Sequence, residues 1–291
     1  MRADARCLIC TLNQAMRVLS KYEKSHHKKW QRIQEIMKKL SEMEWGLKPL
    51  EIGGRVHTYL KKVLNAKDPY IEEKKRSNEM AERILEELKP MIRSSADPLY
   101  DASKLAAAGN LIDLGLPDWN EKRAFERIKE ILSKPFGKED FERFKESIKN
   151  AFSLLYVLDN SGEVVFDRFF IEIMKEYNPS LEVTVAAKAS PVINDVTVED
   201  ALSVGMDKVA NIISSGMELP GTMLDFSNEG FRKHFFESDI VLSKGQGNFE
   251  GLVDEDRKNL FFLLVVKCDV VAEFLNVPVE SLVFVSRDSL E

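Results

Sequence analysis

Apolar residues recur every three to four positions through the first half of the chain, and that period predicts helices. Between Ala15 and Leu40 the apolar positions are Met16, Leu19, Ile33, Ile36, Met37 and Leu40. A second run, Gly53 to Leu64, places Val56, Leu60, Val63 and Leu64 on one face, and Asn65-Ala66-Lys67-Asp68-Pro69 stops it. Pro69 lacks an N–H and keeps Asp68 out of the helical region. From Ile71 to Leu88 the stripe is Met80, Ile84, Leu85 and Leu88; Met91-Ile92 after Pro90 predicts a kink there, not an end. A break follows at Ser95-Ala96-Asp97-Pro98, and then a small-residue helix over Ser103 to Ile112.

Beyond Asn150 the pattern changes. Short apolar runs predict strands at Ser153–Leu158, Leu181–Ala187, Asp207–Ile213, Asp239–Leu242, Leu260–Val266 and Leu282–Val285. Helical segments alternate with them at Gly162–Tyr177, Val198–Val204, Asn228–Glu237 and Cys268–Leu275. Most of these strands lack polar alternation, as strands covered on both faces do. Strand, helix, strand, helix in succession predicts a mainly parallel α/β sheet. The expected organisation is a multi-helical N-terminal domain, residues 1–148, preceding an α/β domain, residues 149–291.

Composition narrows the function. Of 291 residues, 44% are hydrophobic, so the chain is globular and not disordered. Forty-eight acids against 42 bases leave a net charge of −6, a poor basis for nucleic-acid binding. Three cysteines exclude a disulfide scaffold. No apolar run reaches membrane-spanning length, and Met1-Arg2-Ala3-Asp4-Ala5-Arg6 lacks the apolar stretch of a signal peptide. The expectation is a cytoplasmic protein with no membrane or nucleic-acid partner. Abundant Lys, Arg and Glu beside scarce Gln is the bias of heat-adapted proteins.

Ligands of open parallel sheets bind beyond the carboxyl ends of the strands. The residues at those positions are Asp159-Asn160-Ser161-Gly162-Glu163, Lys188 through Asp195, Ser214-Ser215-Gly216, Ser243 through Glu250, and Lys267-Cys268-Asp269. Asp159 and Asn160, with Asp195 from a neighbouring strand end, offer oxygens suited to a hard divalent cation. The competing role for these residues is helix capping, which Asp and Asn favour. Lys244-Gly245-Gln246-Gly247-Asn248 joins a cation to two glycines that let an anion approach backbone N–H groups. It matches neither the Walker A nor the dinucleotide-binding pattern. Lys267 points to the same rim.

Cys7-Leu8-Ile9-Cys10 is a single CxxC pair, which cannot complete a tetrahedral zinc site and lacks the strand context of a thioredoxin motif. Packing, metal binding and redox chemistry all remain open for it. The histidines His26, His27, His57 and His234 stand away from the strand ends, and there is no GxSxG, so histidine-based hydrolysis is not expected.

Taken together, Asp159-Asn160-Ser161-Gly162-Glu163, Lys188 through Asp195 and Lys244-Gly245-Gln246-Gly247-Asn248-Phe249-Glu250 resemble the damage-control phosphatases. Cys7-Leu8-Ile9-Cys10, Asp68-Pro69-Tyr70 and Ala108-Gly109-Asn110-Leu111-Ile112-Asp113 extend the resemblance over nearly the whole chain, toward the CxxC-bearing, mostly prokaryotic branch. The resemblance implies an α/β/α sandwich behind a helical part, and a phosphatase dependent on a divalent metal (Mn²⁺, Mg²⁺ or Ni²⁺). It implies small phosphorylated metabolites, often sugar phosphates or damaged esters, as substrates. Asp159, Asn160 and Asp195 match its metal ligands, and Gln246 to Glu250 its substrate loop. Lys267 aligns with a phosphate-binding lysine of a distant branch, although Val265-Val266 replace that branch's Arg-Thr. Asn110 and Asp113 look like site residues, which places segment 97–113 over the cleft.

The expected reaction is phosphomonoester hydrolysis. Asp159, Asn160 and Asp195 hold the metal, and Asp159, Asp195 and Asp113 serve catalysis. Asn110, Lys244, Gly245, Gln246, Gly247, Asn248 and Lys267 bind substrate and phosphate, helped by the N-terminus of the helix near Gly162. Two rivals stand beside it. An S-adenosylmethionine-dependent methyltransferase would need a glycine-rich turn where Asp159-Asn160 stands, and a non-catalytic metal- or phosphate-binding module would release no phosphate.

Overall fold

The computed structural model describes residues 1–65, 67–109 and 121–290. Helices α1 (Ala5–Tyr22), α2 (His26–Ser41), α3 (Pro49–Leu64), α4 (Ile71–Arg93), α5 (Pro98–Ala108) and α6 (Glu121–Leu132) come first. Strand β1 (Lys138–Glu139) and α7 (Phe141–Asn150) lead into the alternating half: β2 (Ser153–Val157), α8 (Glu163–Tyr177), β3 (Glu182–Ala187), α9 (Val198–Ser203) and β4 (Asn211–Ser214). It continues with α10 (Glu229–Glu237), β5 (Ile240–Lys244), α11 (Gly245–Leu252), β6 (Leu260–Val265), α12 (Asp269–Leu275) and β7 (Leu282–Ser286).

Polar side chains set several boundaries. The periodic stretch Ala15–Leu40 is two helices, because Ser25 accepts from the Lys28 N–H and starts α2 afresh. Asp97 caps α5 in the same way, with Pro98 at the first helical position. Helix α4 runs on through Pro90 to Arg93. The strand expected at Asp207–Ile213 is shifted: Met206–Lys208 form a short 3₁₀ turn, and β4 begins at Asn211.

The strands form one seven-stranded sheet in the order β1-β7-β6-β5-β2-β3-β4, parallel except where β7 runs against β6. Side-chain alternation sorts two cores. Leu154, Tyr156, Val183, Val185, Leu242 and Phe261 pack beneath α4 to α9, whereas Leu155, Val157, Val241, Phe262 and Val283 pack beneath α10 to α12. The α/β/α sandwich is therefore complete. Helices α4 to α7 share their core with the sheet and β1 supplies an edge strand, so packing crosses the composition boundary at 148–149. Helices α1 to α3 build a separate small core around Ala15, Leu19, Ile36, Ile52 and Val56, and Leu50 of α3 joins Met217 and Met223 in another.

The chain order reverses between β2 and β5: β3 and β4 lie on one side of β2, β6 on the far side of β5. Parallel sheets open a crevice at such a switch point. Asp159 follows β2 and Lys244-Gly245 ends β5, so both flank it. Among the described residues, no helix is long and apolar enough to cross a membrane.

Candidate active site

Two strand-end turns are stitched together by main chain. The Ser161 N–H donates to the Asn194 carbonyl at 2.9 Å, and the Val196 N–H donates to the Asp159 carbonyl at 2.8 Å, forming an antiparallel bridge between Asn160 and Asp195. Asp159, Asn160 and Asp195 are thereby gathered, all buried. The Asn160 Nδ2 donates to Asp159 Oδ2 at 2.6 Å. None of the three caps a helix by its side chain. Gly162 is the N-cap of α8, and Thr197 caps α9 in a reciprocal box with Asp200.

The glycine-rich segment is the start of a helix and not a loop. Gly245 opens α11 at φ +78°, and a Cβ there would overlap the Asp159 carboxylate. Asn248 donates through Nδ2 to the carbonyls of Leu158 and Lys244, at 2.9 and 2.6 Å, while its buried Oδ1 has no partner among the described residues. Gln246 reaches Glu250 Oε1 at 2.8 Å and accepts the Lys267 N–H at 2.8 Å, tying α11 to the end of β6. Lys267 itself is exposed at this rim, not buried in a strand.

Two expected phosphate contacts are used elsewhere. Lys244 is fully buried; its ammonium meets Glu163 at 2.5 Å, Asp167 at 2.6 Å and the Ala106 carbonyl at 2.9 Å. All three of its donors are occupied, so it braces the floor and does not face the crevice. The α8 terminus is likewise engaged. The Gly162 N–H donates to Asn78 Oδ1, and the Val164 and Val165 N–H groups go to the Asn160 and Gly162 carbonyls. Asn110 and Asp113 lie outside the described residues.

Electrostatics favour a cation at this place. Asp159, Asp195, Glu163, Asp167 and Glu250 are all buried, against Lys188 and Lys244. Burial, together with the negative charge of Asp159, pushes Asp195 up to about 6, although Lys188 acts the other way. Burial also raises Glu163 to about 8 against the pull of Lys244, and Glu250 to about 7. Lys188 is lowered by burial. The donors are oxygens, buried carboxyl groups outnumber buried ammonium groups, and Gly245 leaves room for the Asp159 carboxylate. That set fits Mg²⁺ or Mn²⁺ better than a soft ion. Among the described residues no three His, Cys, Asp or Glu side chains gather to hold an ion by themselves, so a cation here would need the amide of Asn160 as well as Asp159 and Asp195.

Sequence reasoning missed the bracing groups. Glu163 and Asp167 carried a signal, being acids one turn apart on a helix whose neighbours Val164, Val165, Phe166, Phe169 and Phe170 are buried. Asn78 carried none. Cys7, Cys10 and Cys268 are free thiols.

The model for the damage-control phosphatase ARMT1-like domain matches residues 3–283. The chain belongs to this family. It is 33% identical over 285 residues to a damage-control phosphatase of Pyrococcus horikoshii, covering 97% of each chain. An Archaeoglobus fulgidus protein named damage-control phosphatase is 31% identical over 259 residues, covering 86% of this chain and 87% of the other. The crystal structure of a DUF89 family protein from Pyrococcus horikoshii superposes with a TM-score of 0.91 at 32% identity, covering 99% of both chains. Membership of a phosphatase family leaves the methyltransferase alternative without support.

Proposed function

We propose that this damage-control phosphatase hydrolyses phosphomonoesters of small metabolites, such as sugar phosphates or damaged phosphometabolites, with a divalent cation held by Asp159, Asn160 and Asp195. The observation that carries the reading is the main-chain bridge that gathers these residues at the switch point, with Gly245 making room beside Asp159. The names of the relatives support the substrate class.

Such a cation, when bound, offsets charge on phosphoryl oxygens and acidifies coordinated water. The protein's own groups do the rest. Lys267 stands at the rim with its backbone N–H held by Gln246, and its ammonium supplies positive charge for phosphate there. The first-turn N–H groups of α11 at Gly245, Gln246 and Gly247 have no intrahelical acceptor and orient the anion. Asn248 locks α11 to the end of β2 and so fixes the distance between the phosphate and cation subsites. Lys244 holds the floor rigid.

Phosphate release from a panel of sugar phosphates, with and without EDTA and then with Mn²⁺, Mg²⁺ or Ni²⁺ restored, tests this reading. Undiminished release in EDTA sinks the cation's role, and no release from any monoester sinks the substrate class. The stereochemical course at a phosphorus made chiral with oxygen isotopes separates attack by water, a single displacement that inverts configuration, from attack by Asp159, whose two successive displacements retain it.

A further inference from the structure

We propose that Lys188 is a positioning residue: with the Gly221 peptide it fixes which oxygen of Asp195 is presented to the cation. This rests on the cation reading above. Lys188 follows β3 directly, and its N–H donates to the Val196 carbonyl at 2.8 Å, so its backbone is anchored one residue from Asp195. The side chain is 3% exposed. Its ammonium donates to the Gly221 carbonyl, lies 3.4 Å from Thr222 Oγ1 and pairs with Asp195 Oδ2 at 3.4 Å. An ammonium has three donors, and these partners take them all, so Lys188 has none left for phosphate.

Asp195 Oδ2 also accepts the Gly221 N–H at 3.2 Å. One residue, Gly221, is thus gripped through the peptides on both sides of it, its carbonyl by Lys188 and its N–H by Asp195. Both donors converge on Oδ2, which assigns the other oxygen, Oδ1, to the cation. The gripped segment cannot drift. Gly221 has φ +65°, and a Cβ there would come within 2.6 Å of the Gly247 carbonyl group, so the segment lies directly on α11. On its other side, Pro220 and Leu219 meet Gly53 and Gly54 of α3. Lys188 therefore links a candidate ligand to the helical N-terminal part through one rigid loop.

Charge makes the inference testable. A buried ammonium this close to a ligand repels an incoming cation, so a bystander lysine would weaken metal binding and its removal would strengthen it. A positioning lysine has the opposite effect when removed. Groups that orient ligands typically cost 10- to 100-fold in metal affinity when lost.

The experiment measures Mn²⁺ affinity of the metal-stripped full chain from the electron paramagnetic resonance signal of free Mn²⁺, with melting temperature recorded in parallel. Lys188→Met is expected to bind Mn²⁺ about 10- to 100-fold more weakly than wild type. Thr222→Val, which removes only one acceptor of the ammonium, is expected to weaken binding several-fold while melting near the wild type. Equal or tighter binding by Lys188→Met overturns the inference. Should that variant fail to fold, unchanged affinity in Thr222→Val overturns it equally. Absence of Mn²⁺ binding by the wild-type chain overturns the cation site itself, and this inference with it.

Discussion

Gly245 stands with its Cα against the carboxylate of Asp159, closing the gap between the ends of β5 and β2. Any larger residue must displace that carboxylate or unwind the first turn of α11. Gly245→Ala also puts a side chain at φ +78°, which costs about 1–2 kcal/mol. We expect this variant to remain folded, with melting lowered by a few degrees, and to lose at least about 100-fold in kcat/KM. Near-wild-type activity would show that the contact has no bearing on Asp159.

Asp195 and Asp159 should be tested as amides. Asp195→Ala would leave the buried Lys188 ammonium without its carboxylate, at about 3–5 kcal/mol, confusing folding with chemistry. Asp195→Asn also loses the charge, but its amide oxygen still accepts from the Lys188 ammonium and the Gly221 N–H, so less stability is lost. The expectation for Asp195→Asn and Asp159→Asn is a metal-dependent activity reduced by roughly 100-fold or more with a cooperative melt retained. Full activity in either would remove that residue from the site.

Lys244 and Lys267 should behave differently although both end a strand. Lys244→Met strips the cation from Glu163 and Asp167 inside the core, and breaking such a pair costs about 3–5 kcal/mol. Its principal effect is expected in chemical denaturation. Lys267→Ala touches an exposed side chain, so stability should stay within about 0.5 kcal/mol. Its expected signature is a KM for phosphomonoesters raised about tenfold, the loss of one charge-assisted contact. A stable Lys244→Met with raised KM would reverse the two roles.

The contrast between these lysines marks where sequence reading runs out. Five strands were legible because buried strands are unbroken apolar runs, whereas β4 is only half-buried and starts four residues later than its apolar run predicts, and β1 is two residues long and leaves no pattern. The convergence of Asp159, Asn160 and Asp195 was legible because strand-end position follows from topology. Lys244 was misassigned because its partners lie 81 and 77 residues away on α8, and a lysine beside glycines reads locally as an anion contact. Helix α11 was taken for a loop because glycine is a poor helix former. Tertiary contact decides otherwise: Gly245 and Gly251 approach Asp159 and the Thr222 carbonyl too closely for a side chain. Asn110 and Asp113, on the segment expected to cover the cleft, lie outside the described residues.

Acid sensitivity should arise partly at a group far from the chemistry. His57 on α3 is buried, its Nε2 is 3.2 Å from Gln14 Oε1, and burial, aided by the charge of Lys61, lowers its pKa from 6.5 to about 4. The folded state therefore keeps His57 neutral where the unfolded chain protonates it. Its contribution is fully present above pH 6.5 and is lost as pH falls toward 4, by up to about 3 kcal/mol. Asp195, Glu163 and Glu250 act with the opposite sign, because their raised values favour the folded state as pH falls. Only the difference between wild type and a His57 variant isolates the histidine. His57→Gln should melt below the wild type at pH 7.5 and close that gap, or reverse it, at pH 4.5. A gap that stays constant over this range would mean that His57 takes up its proton without cost inside the fold.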